Sequence, residues 1–96
     1  MSSHELYRDD GENRRSVRVE LREDEIVVHT HDTGPVVEVA WSDDDYEFWT
    51  GVKREDWGPL AVALIREFLS GRSDATDRLR TLCGEHGVEH TRGSWR

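Results

Sequence analysis

The 96-residue chain predicts an α+β fold: an antiparallel four-stranded β-meander, with a tail able to add a fifth strand, covered by two C-terminal helices in the order β-β-β-β-α-α. Three observations carry this. Apolar and polar residues alternate strictly from Val17, a period of two that suits a half-buried strand. Turn residues separate the β-rich runs by only a few positions, and connections that short force antiparallel pairing, because parallel neighbours need a crossover of about a dozen residues or more. After Val52 the period switches to that of a helix.

Taken in order, residues 1–16 are polar, charged and offer only Leu6 and Tyr7 to a core, so they read as a flexible N-terminal arm ahead of a single domain spanning 17–96. Val17, Val19 and Leu21 then share one face of a strand near residues 17–22, with Arg18, Glu20 and Arg22 on the other. A second strand runs near residues 25–31, with Ile26, Val28 and Thr30 on one side and Val27, His29 and His31 opposite. Asp32, Thr33, Gly34 and Pro35 break it with turn chemistry. A third strand is expected near residues 36–41, a turn at Ser42 to Asp45, and a fourth strand near 46–52. Trp57, Leu60, Ala61, Leu64, Ile65 and Phe68 mark a helix near 56–70, with Asp56 as its cap, Pro59 in the first turn and Gly71 at its end. This stripe places Leu64 in full burial against the sheet. A second helix near 74–86 starts from Ser73 or Asp74 and stops at Gly87, where Val88 suits the apolar partner of a left-handed helix end. Residues 89–96 offer the fifth, edge strand.

Composition narrows the function classes. Acidic side chains number 21 against 13 basic, a formal charge of −8, and this disfavours nucleic acid or anionic membranes, whose phosphates need clustered cations. The longest near-apolar run, Leu60 to Ile65, is too short to span a bilayer, and the opening M-S-S-H-E-L-Y-R-D-D lacks the basic-then-apolar order of a signal peptide. With one cysteine, Cys83, and hence no intramolecular disulfide, a cytoplasmic setting is expected.

Catalytic patterns are scarce. No nucleotide loop, nucleophile elbow or triad is present, so no enzyme and no cofactor are expected. Cys83 falls on the apolar stripe near a helix C-terminus, where the dipole opposes a thiolate, and reads as core filling. His29 and His31 put two imidazoles on one strand face, with Asp32 the nearest carboxylate, and are the candidate metal ligands. Solvent-facing strand histidines without a metal are far commoner, so no tight metal site is expected.

The densest signal lies between Trp41 and Trp49, W-S-D-D-D-Y-E-F-W, where four aromatic rings and four carboxylates fall in nine residues. Trp41 and Trp57 fit the core by periodicity, leaving Trp49 and Trp95 over. Alternation in the fourth strand points Glu47 and Trp49 away from the covered face, and a triple-aspartate turn belongs in water. Asp43, Asp44, Asp45, Glu47 and Trp49 are therefore the expected partner-binding surface, and its sign calls for a basic protein.

A small acidic α+β chain with an acid and aromatic patch of this kind resembles the immunity proteins that neutralise bacterial toxin domains, and the phage-encoded inhibitors that imitate nucleic acid with carboxylates. The resemblance is one of composition and implies a non-catalytic protein covering a basic cleft. The rival expectations are a small-molecule or metal-binding regulatory domain using the His29 and His31 face, and a plain globular protein whose acidity serves solubility or salt adaptation.

Overall fold

The computed structural model of the chain describes residues 2–34 and 45–94, which fall into two compact units, Met1–Gly58 and Pro59–Arg96. The first unit is an antiparallel sheet of β1 (Ser2–Asp9), β2 (Arg14–Leu21), β3 (Glu25–Thr33) and β4 (Asp45–Lys53), ordered β1-β2-β3-β4. The second holds the body of α1 (Trp57–Leu69) and all of α2 (Ala75–Glu85). The β-β-β-β-α-α order of an α+β chain is thus present.

Register fixes what each face carries. Val19 lies opposite Val28, Leu21 opposite Ile26, Ile26 opposite Val52, and Thr30 opposite both Val17 and Phe48. Directly opposed residues share a face, so Val17, Val19, Leu21, Ile26, Val28, Phe48 and Val52 form one apolar side. The other side is polar, with Arg18, Glu20, His29, His31, Glu47 and Trp49, and at its centre Val27 between Glu20 and Gly51. Among the described residues only Val27, at 1% exposure, and Thr30 are buried, one on each face.

Four features differ from the sequence-based expectation. Residues 2–9, expected to be a flexible arm, form β1 and pair with β2 from Ser2 opposite Leu21 to Asp9 opposite Arg15. Every residue of β1 is exposed; an edge strand held mainly by backbone bonds leaves no hydrophobic alternation in its sequence, and a register shift at Leu6 breaks what alternation there is. Residues 89–94, offered as the fifth strand, form none, whereas the strand expected near 36–41 lies outside the described residues and is neither met nor contradicted. Asp56 does not cap α1 but ends a 3-10 turn, Arg54–Asp56, that runs into the helix.

Leu64 is the fourth. Expected to be fully buried, it is 49% exposed and lines an open groove of about 490 Å³ with Ile65, Phe68, Leu69, Leu79 and Leu82.

The helix ends follow local chemistry. Asp74 occupies the N-cap of α2 without bonding its backbone, because Arg72 Nε and Nη2 hold both of its carboxylate oxygens at 2.9 and 3.0 Å. At the other end Gly87 adopts φ +65°, the Val88 N–H donates to Cys83 O at 2.8 Å and the Gly87 N–H to Gly84 O at 3.5 Å. This is the paired-bond left-handed termination that Gly87 followed by Val88 predicts.

Candidate functional site

β3 and β4 pair without a break from Glu25 opposite Lys53 to Thr33 opposite Asp45, and that ladder assembles the site on the polar face. Two sequence signals well separated along the chain become one cluster: His29 lies opposite Trp49, and His31 opposite Glu47. The His29 and Trp49 rings are tilted by 31° with centroids 6.5 Å apart. His31 Nε2 donates to Asp45 Oδ1 at 2.9 Å and lies 3.9 Å from Glu47 Oε1. Imidazole and carboxylates therefore restrain one another, while Trp49 remains 64% exposed.

Of the expected binding residues, Asp45, Glu47 and Trp49 share this face, and Asp43 and Asp44 lie outside the described residues, as do Trp41 and Trp95. Trp57, placed in the core by periodicity, is half-buried at the start of α1; its indole N–H donates to Val52 O at 2.8 Å and Arg54 stacks 5.3 Å above its ring. Cys83, read as core filling, is a free, half-buried thiol. The metal candidates His29 and His31 gain no convergent third ligand: among the described residues no group of three His, Cys, Asp or Glu side chains is arranged to hold a metal ion. Asp32, the carboxylate nearest in sequence, is on the opposite face, where both its oxygens receive bonds from Arg15 Nε and Nη2 at 2.7 Å. Those bonds hold the Asp32 carboxyl below the usual carboxylate range, against the opposing pull of burial.

One grouping could not be seen in a chain read as having a mobile arm. The β1–β2 end of the sheet brings Arg8, Arg14, Arg15 and His31 around a recess of about 300 Å³. Arg8 is paired with Glu5 and Asp10, and Arg15 with Asp32, so Arg14 is the arginine without an ion pair there among the described residues. The recess is consequently a self-neutralised surface rather than a strong anion site.

Electrostatically the chain is lopsided. Residues 1–58 carry 16 acidic and 7 basic side chains, a net −9, whereas residues 59–96 carry 5 and 6, a net +1. The negative field belongs to the sheet unit that presents Trp49. No family model matches the chain, and neither the curated proteins nor the solved structures contain a match to it.

Proposed function

We propose that the protein is a non-catalytic binding module whose acidic and aromatic face, Asp45, Glu47 and Trp49 together with Asp43 and Asp44 of the preceding segment, covers a basic surface on a partner protein. An immunity or inhibitor role is the most specific form of this reading, and it requires no nucleic acid, membrane or cofactor. The supporting observation is Trp49: a large ring 64% exposed, flanked on its own face by Glu47 and Asp45, inside the unit that carries net −9. An exposed tryptophan supplies contact area that a partner can desolvate, and fixed carboxylates around it steer the encounter. The His31 bond to Asp45 and the His29 contact with Trp49 pre-order both groups, reducing the side-chain entropy lost on binding.

The test is binding kinetics with a partner recovered from the native host, at two salt concentrations. Replacing Asp43, Asp44 and Asp45 with Asn should slow association and flatten its salt dependence. Trp49→Ala should chiefly speed dissociation, since charges act on encounter and buried aromatics on residence. A partner that binds both variants like the wild type refutes the assignment.

A further inference from the structure

Among the described residues β4 closes one side of the sheet order, and its outer backbone groups follow from two bonds at the ends of the ladders. The Arg22 N–H donates to Glu25 O at 2.9 Å, so residue 25 faces β2; the Arg54 N–H donates to Asp24 O at 2.8 Å, so residue 24 faces β4. Antiparallel strands turn alternate residues to alternate neighbours. Ile26, Val28, Thr30 and Asp32 thus face β4 and meet Val52, Thr50, Phe48 and Tyr46. Asp45, Glu47, Trp49, Gly51 and Lys53 then direct their N–H and C=O groups outward.

We infer that this edge pairs with the same edge of a second copy of the chain, antiparallel about a two-fold axis at Trp49. In that register Asp45 lies opposite Lys53 of the second copy, Glu47 opposite Gly51, Trp49 opposite Trp49, Phe48 opposite Thr50 and Tyr46 opposite Val52. All nine residues of β4 find a partner, apolar positions meet on the apolar face, and no like charges are opposed. A slip of one residue would turn the apolar side chains to the polar face. A slip of two would leave part of the strand unpaired.

Lys53 is available for the pairing: its Nζ sits 3.8 Å from Asp24 and 3.9 Å from Glu25, both long contacts on an exposed side chain. The charged residues of the strand, Asp45, Glu47 and Lys53, are of both signs, and in this register Asp45 and Lys53 are complementary. Within Asp45–Lys53 there is no proline, and its pairing with β3 shows no bulge. β1, the other edge, has the register shift at Leu6 and is the poorer template. The symmetric pairing is isologous, so it closes as a dimer and leaves no further β4 edge to propagate a filament. It would also set two Trp49 rings side by side on the acidic face, doubling the surface proposed above, although the pairing itself does not depend on any basic partner.

Sedimentation equilibrium of the full chain over micromolar to sub-millimolar concentrations tests this, with circular dichroism confirming that each variant folds. The wild type should dimerise. Asp45→Lys and Lys53→Asp should each weaken self-association by at least about tenfold, because two ion pairs per dimer turn from attraction to repulsion. Mixed in equal amounts, the two variants should regain wild-type affinity as a heterodimer, since every opposed pair is again of opposite sign. A wild type that stays monomeric, a single variant that dimerises as tightly as the wild type, or a mixture no tighter than its components would each overturn the proposal. Loss of partner binding would not, as no partner is present in the experiment.

Discussion

Val27 and Val28 are chemically identical neighbours on opposite faces of β3, and truncating each to alanine isolates burial from everything else. Val27 is 1% exposed and Val28 39% exposed. Val27→Ala removes two methylene equivalents, worth about 0.8 kcal/mol each, or about 1.6 kcal/mol in transfer energy. A closed site adds a cavity term and alanine has the weaker strand preference, which brings the expected loss to about 2 to 3 kcal/mol. Val28→Ala gives up roughly three-fifths of the transfer energy and leaves no closed void, so about 1 kcal/mol is expected. With a urea slope of about 1 kcal/mol per M for a small domain, the two midpoints should differ by about 1 to 2 M in titrations followed by far-ultraviolet circular dichroism. The contrast is sharp because the alternation assigns Val28 to the apolar face and Val27 to the histidine face. Equal losses, or a larger one at Val28, would show that the polar face does not enclose Val27.

The Asp32 carboxyl, held down by Arg15, should titrate by NMR below the ordinary value near 3.9, and Arg15→Gln should raise it. Its lowered folded value means that the pair's stabilisation is complete above the unfolded value near 3.9 and disappears as pH falls through the folded one, so a stability difference between wild type and Arg15→Gln at about pH 6 should shrink progressively as pH is taken below the unfolded value. In α2, Gly84→Ala should stabilise by up to about 1 kcal/mol, since a Cβ there meets nothing within 4 Å and alanine favours the helix. Three residues on, Gly87→Ala should cost about 1 to 2 kcal/mol because φ is +65°. Thermal melts that move both variants the same way would contradict the helix-end geometry.

How much of this was legible in the sequence depended on whether an element carries a periodic apolar face. β2, β3, β4 and both helices carry one, whether or not it is covered, and their periods show it: strands expected near 17–22, 25–31 and 46–52 are found at Arg14–Leu21, Glu25–Thr33 and Asp45–Lys53. β1 carries none, so the backbone bonds that hold it left no trace in its side chains. Alternation also names a face without saying how fully it is covered; Val27 sits on the polar face and is nonetheless the most buried apolar side chain described. Gly34 shows a further limit. It reads as an ordinary turn glycine, but it is required because φ is +125° and a Cβ would lie 2.5 Å from Glu12 O in the β1–β2 connection, a contact between segments that no local pattern encodes. The site was half legible for the same reason. Acids and Trp49 are adjacent in sequence, whereas their union with His29 and His31 exists only through the β3–β4 register.

The two roles argued for β4 make opposite demands on salt, and this separates them. Two sheet units of 58 residues, each near −9, would have centres about 25 Å apart if paired edge to edge, taking about 10 Å as the radius of gyration of each. Treated as point charges in water they repel by several kcal/mol at about 10 mM salt, where screening reaches about 30 Å, and by less than about 1 kcal/mol at about 150 mM, where it reaches about 8 Å. The two Asp45 to Lys53 pairs are short-ranged and worth at most about 1 kcal/mol each, so screening the repulsion outweighs weakening the pairs. Self-association should therefore tighten between these two salt concentrations. Capture of a basic partner draws on the same field with the opposite sign and should loosen over that range, mainly through slower association. If both processes weaken with salt, the long-range charge of the sheet unit does not govern self-association, and the short-range Asp45 to Lys53 pairs do.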